Sequence, residues 1–158
     1  MDDVEIAKII AERFTGVDVL VASRESGAPE VAWGDSFFFY DPARSGDPQR
    51  FPFATLVVKD YPGWDAASNL DRPGVFRLNL GVSKETFRAR FGAPSQAVEG
   101  GHDFTALDVV MPHPVYAAQS WLCVLNPSAE TFEREVMPLL ADAHATAVMR
   151  HGRRDADG

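Results

Sequence analysis

The densest group of chemically capable side chains in this sequence lies around His113. Two prolines, Pro112 and Pro114, flank the histidine, and their fixed φ angles limit how far its ring can move. Histidine has the side chain whose ordinary pKa allows proton transfer near neutral pH, so His113 is the candidate catalytic acid or base. The alternative is a loop histidine whose ring is satisfied by a backbone carbonyl.

Three further side chains that can bind an organic molecule lie within the nine positions that run from His113 to Trp121: Tyr116, Gln119 and Trp121 itself. Tyrosine and tryptophan combine an apolar ring with a polar tip, and glutamine offers both a donor and an acceptor. We predict that these three residues form one wall of a ligand site.

Two polar residues, Arg77 and Asn79, are predicted to lie on one face of a strand. Alternate residues of a strand point to opposite faces, so the apolar residues between them face the other way. A guanidinium and a carboxamide on the same face can anchor the polar groups of a ligand. The alternative is an ordinary half-exposed antiparallel sheet with polar residues outward, which is a common arrangement.

The strand predicted at residues 36–40 contains three consecutive phenylalanines and therefore supplies rings to both faces of the sheet. If Phe37 and Phe39 face the core under the helices, Phe38 lies beside Arg77 on the opposite face. A face with mixed aromatic and polar side chains resembles the lining of a small-molecule site more than a solvated sheet.

The connection over residues 60–74 is long for a hairpin, and loops of this length are more often functional or mobile than idle. We expect Trp64, in the middle of this loop, to close over the ligand as part of a lid. The alternative is an ordered excursion of the chain that Trp64 pins to the surface.

The helices that must cover the other face are marked by capping residues. A first helix over residues 4–14 has Asp2 as its N-cap. Further helices are expected after Ser83 and after Ser128. The last one contains Pro138, which removes a backbone hydrogen bond and predicts a kink or a break.

The strands are predicted without long helices between most of them, which favours antiparallel neighbours. Their ranges are 17–22, 36–40, 53–59, 75–80 and 120–125. The predicted fold class is α+β: a two-layer sandwich of a mostly antiparallel sheet with helices packed on one face. Residues 1–149 are expected to form a single domain, and 150–158 a disordered tail whose basic run is partly neutralised by neighbouring aspartates.

Composition excludes several classes of function. The 158 residues include 15 lysines and arginines against 23 aspartates and glutamates, a net charge of −8, so neither nucleic acid nor an anionic membrane is the expected partner. A single cysteine, Cys123, excludes an intrachain disulfide and a cysteine-rich zinc site.

The common nucleotide, hydrolase and metal motifs do not occur, so no cofactor and no metal are predicted. Without a secretory or membrane-spanning run, the protein is expected in the cytoplasm.

Two long segments carry a resemblance to a known family. FATLVVKDYPGWDAASNLDRPGVFRLNLGVSKETFRARFG and FTALDVVMPHPVYAAQSWLCVLNP are similar to DUF6194, a group of actinobacterial proteins of unknown function, over about residues 35–144. The order of RLNL, a helix, a histidine loop and a tryptophan strand more distantly resembles the MmcQ/YjbR-like proteins. That likeness implies a two-layer fold related to the CyaY-like arrangement, and a role in drug binding or resistance or in DNA binding.

Three functional hypotheses follow. The first is a protein that binds a small organic molecule, in natural-product metabolism or resistance, through Arg77, Asn79, Tyr116, Gln119, Trp121 and Trp64. The second is a cofactor-independent enzyme in which His113 transfers a proton on a natural-product intermediate and Arg77 stabilises negative charge. The third is a nucleic-acid or protein interaction module. A homodimer is compatible with each of them.

Overall fold

The computed structural model describes residues 1–93 and 101–157, and this part of the chain contains one six-stranded sheet and three helices. The strands are β1 (Val17–Val21), β2 (Ser36–Tyr40), β3 (Ala54–Val57), β4 (Arg77–Gly81), β5 (Met111–Pro112) and β6 (Trp121–Leu125). The helices are α1 (Asp3–Arg13), α2 (Lys84–Phe91) and α3, which joins Ala129–Thr131, Phe132–Val136 and Met137–Asp157 without interruption.

Each helix begins at the capping residue that the sequence predicts. The Asp2 carboxylate accepts a hydrogen bond from the backbone N–H of Glu5 at 2.8 Å, and Ser83 and Ser128 cap α2 and α3 in the same way. Gly92 ends α2 with φ of 82°, a conformation that glycine adopts at no steric cost.

The last helix accommodates its proline with a π-helical turn. The segment Phe132–Val136 is π-helical, and the N–H of Met137 bonds to the carbonyl of Phe132 directly before Pro138. A proline cannot donate the next backbone bond, and widening the preceding turn keeps the chain helical. The break considered at Pro138 does not occur, and α3 continues through residues 150–157, the segment expected to be a tail. No helix in the described ranges has the length and apolarity to cross a membrane.

The sheet has the strand order β1-β2-β3-β4-β6-β5, and every neighbouring pair is antiparallel. Its register places Asn79 of β4 between Thr55 of β3 and Cys123 of β6, and Arg77 between Val57 and Leu125. The α+β fold with an antiparallel sheet, predicted from the order of the elements, is confirmed.

All three helices pack on one face of the sheet and form the larger core with it. The helical residues of this core include Ile6, Ile10, Phe87, Phe132, Val136 and Leu140, and the strand residues include Phe38, Leu56, Leu78, Leu80, Leu122 and Val124. These side chains are almost fully buried, so this layer supplies most of the hydrophobic stabilisation.

The opposite face of the sheet is covered as well, by loops instead of helices. Val57, Met111, Cys123 and Leu125 form a second, smaller core there with Leu70. The sheet is therefore not bare on this side, because the segments before β4 and before β5 provide a third, irregular layer.

The register of β2 decides which phenylalanines face which layer. Phe38 lies opposite Ala54 and is fully buried among the helices. The arrangement in which Phe37 and Phe39 face the helical core is therefore wrong, and these two rings lie on the loop-covered side with Arg77. Three consecutive phenylalanines satisfy either register, so their sequence alone does not distinguish the two.

Candidate functional site

Arg77 lies at the start of β4, under the loop-covered side, and is fully buried. Its Nη1 donates to Asp65 at 3.1 Å and to Ser68 at 2.9 Å, its Nε donates to Asn79 at 2.8 Å, and its Nη2 bonds to the second Asp65 oxygen. Nη2 also lies 3.2 Å from Nε2 of His113. The sequence prediction that Arg77 and Asn79 share one face is thus confirmed, and the chain itself supplies their partners.

His113 is held by the turn that it begins. Its Nδ1 accepts hydrogen bonds from the backbone N–H groups of Val115 and Tyr116, both at 3.0 Å. The other ring nitrogen, Nε2, faces the Arg77–Asp65 pair. Burial, and then the positive charge of Arg77, lowers the pKa of His113 to about 3.

This geometry gives the His113 ring a structural role. Both of its nitrogens face protein groups, and the residue is only 1% exposed. Proton transfer to a substrate needs a nitrogen within hydrogen-bond reach of that substrate. The acid–base role of His113 stays a prediction that this geometry does not favour.

A second buried carboxylate, Asp35, ties the loop 60–74 to the sheet. It precedes β2, is fully buried, and accepts a bond from the Tyr61 hydroxyl and another from the N–H of Val58 at 2.9 Å. Burial raises the pKa of Asp35, and burial with the neighbouring carboxylate raises the pKa of Tyr61. Sequence reasoning missed Asp35, because its partners Val58 and Tyr61 lie more than twenty positions away in the chain.

Among the described residues, the other side chains predicted to bind a ligand make no hydrogen bond to Arg77. Trp64 is 65% exposed, and its indole N–H donates to the hydroxyl of Tyr116 at 3.0 Å. Gln119 is exposed in the 3₁₀ turn before β6. The Tyr116 ring lies 4.9 Å from the ring of His113, so Trp64 and Tyr116 border the Arg77 network, whereas Trp121 lies at the start of β6.

The Arg77 network is complete without a ligand. Every buried side-chain nitrogen and oxygen in the described part of the chain has a hydrogen-bond partner. Cys123 is buried on the same face of the sheet. Burial raises the pKa of its thiol to about 12, so the thiolate is not available as a nucleophile. Among the described residues no group of three metal-ligating side chains is placed to hold an ion.

A concave site lies elsewhere, between the sheet and the second half of α3. We call it the α3 cleft. It has a volume of about 310 Å³ and is lined by Tyr40, Arg50, Phe51, Pro52, Phe53, Gly81, Trp121, Ala143, Thr146, Ala147, Arg150, His151 and Arg154. The ends of β2, β4 and α3 meet here with the starts of β3 and β6. Of the residues predicted to bind a ligand, Trp121 lines this cleft.

The floor of the α3 cleft depends on one close approach. A Cβ atom on Gly81 would lie 2.8 Å from the indole of Trp121, so only glycine lets the ring lie against the β4 backbone. The two residues are directly opposite each other in the β4–β6 pair.

Arg50 is positioned at the cleft by three contacts. Its Nη1 lies 2.7 Å from a carboxylate oxygen of Asp18 and 2.7 Å from one of Asp41, and its guanidinium lies 3.9 Å from the ring centre of Phe39. Ion pairs and a cation–π contact together fix the planar group.

Sequence reasoning missed most of the α3 cleft because its residues are far apart in the chain. The one local signal is the basic run Arg150 to Arg154 in an acidic protein, which the sequence analysis interprets as part of a neutralised tail. A second hollow, bordered by Glu130, Thr131, Arg134 and Glu135, lies along one helix only and is an open surface depression.

One protein family matches the chain: the model of DUF6194, a family of unknown function, covers residues 1–156. No curated protein matches it, and no solved structure does. The match adds no activity, ligand or cofactor to the geometry.

Proposed function

Because the chain belongs to the DUF6194 family, whose function is unknown, we propose a function from the site alone: the protein binds a small organic molecule in the α3 cleft. The observation that carries the proposal is the lining itself. Four aromatic rings and several nitrogen-bearing side chains surround a space of about 310 Å³. Small-molecule sites are typically clefts of this size with apolar walls and a few polar groups.

The proposal keeps Trp121 from the residues that the sequence predicts and adds residues that the sequence analysis did not select. Arg77 and Asn79 as ligand contacts stay a prediction, since a ligand would have to replace Asp65 and Ser68 in a network without free donors. Natural-product metabolism or resistance is the biological setting that we propose, in line with the resemblance to MmcQ/YjbR-like proteins.

A thermal-shift screen of metabolites and antibiotics, with isothermal titration of each hit, tests the proposal. Ala147 lies on the α3 wall of the cleft, so the substitution Ala147→Phe places a ring in the space. Ala145 is exposed on the same helix and lies outside the lining, which makes Ala145→Phe the matched control.

We expect the affinity of a hit to fall at least tenfold in Ala147→Phe and to be unchanged in Ala145→Phe. Circular dichroism of both variants checks that α3 remains folded. Hits that bind the two variants and the wild-type protein equally would place their site elsewhere and contradict the proposal.

A further inference from the structure

Resting on the proposed function, we infer that the ligand of the α3 cleft is a flat organic anion: an aromatic ring system that carries a carboxylate or another acidic group. The whole chain has a net charge of −8. The cleft has three arginines in its lining, and none of the described residues that line it is acidic. A concave surface of reversed sign attracts ligands of the opposite charge, so this lining favours anions.

The two arginines that α3 contributes to the lining are the groups that a bound anion would satisfy. Arg150 and Arg154 are four positions apart and therefore neighbours on one face of the helix, where like charges repel. Within the described residues neither of them forms a salt bridge. An anion held between the two guanidinium groups offsets this repulsion.

Arg50, on the opposite wall of the cleft, is assigned a different role from Arg150 and Arg154. Asp18 and Asp41 already balance its charge, both through Nη1. We therefore assign the attraction for anions to Arg150 and Arg154, and the orientation of the ligand to the fixed plane of Arg50. A guanidinium offers paired donors to a carboxylate and also stacks on an aromatic ring.

The rings of the cleft favour a flat partner. The indole of Trp121 lies so close to Gly81 that a Cβ atom there would be 2.8 Å away, which keeps the ring against the sheet. Phe51, on the same lining, is 84% exposed, an unusual position for a large apolar side chain. Aromatic faces of this kind stack on flat ligands, and a cleft of about 310 Å³ suits a small ring system.

Two fluorescent probes that share one ring system separate the contribution of the ligand's charge to binding from the contribution of its rings. One is the anion 8-anilino-1-naphthalenesulfonate, and the other is the neutral N-phenyl-1-naphthylamine, which lacks only the sulfonate. Each probe is titrated into the full chain at low and at high salt. We expect the anion to bind at least tenfold more tightly, with an advantage that shrinks as salt screens the arginines.

Arginine variants then test the assignment. In the double variant Arg150→Gln/Arg154→Gln we expect the affinity for the anionic probe to fall at least tenfold. The affinity for the neutral probe should stay unchanged. Arg153 is the matched control, because it lies on the same helix outside the lining, with Nη2 4.0 Å from the sulfur of Met149. Arg153→Gln should change the affinity for neither probe.

Ala147→Phe distinguishes the inference from the proposed function. If both probes bind equally well and both are lost in Ala147→Phe, the cleft is a ligand site without a preference for anions, and the inference is wrong. If Ala147→Phe affects neither probe, neither of them occupies the cleft and the inference is wrong, whereas the proposed function fails only if the metabolite hits also bind Ala147→Phe as well as the wild-type protein.

Discussion

Arg77 is a fully buried cation, and among the described residues it forms a salt bridge with Asp65. Taking two charges out of water costs several kcal/mol each, and the pair repays this only when its remaining donors are also bonded. Ser68 and Asn79 meet that condition here. The pair therefore fixes the position of the loop on the sheet more than it adds net stability.

Removing both members of the pair should cost less stability than the sum of the two single removals. We expect Asp65→Asn to lower the free energy of unfolding by about 3–5 kcal/mol, because it leaves the Arg77 guanidinium buried and uncompensated. Asp65→Asn/Arg77→Met should lose clearly less than the sum of the two single variants. Urea unfolding measures all three, and additive losses would mean that the two groups do not act as a pair.

The matched control is the exposed pair Glu130–Arg134, whose side chains are each 75% accessible. Glu130→Gln should give no measurable change in the same urea experiment, since exposed ion pairs contribute little. A loss as large as that of Asp65→Asn would show that burial is not the cause.

His113 should make the stability of the protein depend on pH. The unfolded ring takes up a proton near its ordinary pKa of 6.5, whereas the folded ring does so only near 3. Stability from this residue is therefore complete above 6.5 and is lost as the pH falls toward 3. Between pH 7.5 and pH 5 we expect a loss of about 2 kcal/mol, measured by urea unfolding.

His113→Asn is the control for this pH effect. The asparagine oxygen can accept the backbone bonds that Nδ1 now accepts, as in an Asx turn, but it does not titrate. The variant should lose less stability over the same pH interval than the wild-type protein. Identical pH profiles for the two proteins would assign the effect to other groups.

At the scale of the elements, the loop 60–74 behaves as a layer of the fold. Asp65 and Ser68 bond to the sheet through Arg77, and Tyr61 bonds to Asp35. Leu70 adds apolar contact to the second core. A loop with this many buried anchors is not poised to open as a lid.

Tyr61→Phe tests how much one anchor contributes. The substitution removes a donor from the buried Asp35 carboxylate and should cost about 1–3 kcal/mol. Amide hydrogen exchange should show the loop opening more often than in the wild-type protein. Tyr116→Phe, which removes a bond between the exposed Trp64 and Tyr116, should change neither quantity. Unchanged exchange in Tyr61→Phe would contradict the anchoring role.

Gly81 is the second test at this scale. A methyl group there meets the indole of Trp121 at 2.8 Å, so Gly81→Ala should displace the ring and cost about 1–3 kcal/mol. Gly152→Ala is the contrasting change: nothing lies within 4 Å, and alanine suits a helix better than glycine. Thermal unfolding should show a lower midpoint for the first and an equal or higher one for the second. An unchanged midpoint and an unshifted Trp121 emission in Gly81→Ala would mean that the ring has room to move.

The helix starts were predictable because capping is local. A serine or aspartate followed by an acidic or polar first turn is visible in the sequence at Asp2, Ser83 and Ser128. The opposite orientation of Arg77 and the leucines beside it follows from alternation alone. The partners of Arg77 do not follow from alternation, because Asp65 and His113 lie on loops whose path depends on long-range packing.

At the scale of the whole molecule, the sheet is buried on both faces, by helices on one side and by loops on the other. Periodicity predicts helical layers well, but a loop that forms a layer has no repeating pattern. The α3 cleft was unpredictable for a similar reason. Its residues lie between Tyr40 and Arg154, and only the completed topology brings them to one end of the sheet.

The π-helical turn Phe132–Val136 has a consequence for the far end of α3. Each residue of an α-helix advances the direction of its side chain by about 100°, and a π-turn adds one residue without adding a turn. The part of α3 beyond it is therefore rotated relative to an uninterrupted helix. Deleting one residue from this turn would swing Arg150 and Arg154 about a quarter of a circle away from Trp121. The direction of these two arginine side chains is thus set about four to five helical turns before them in the chain.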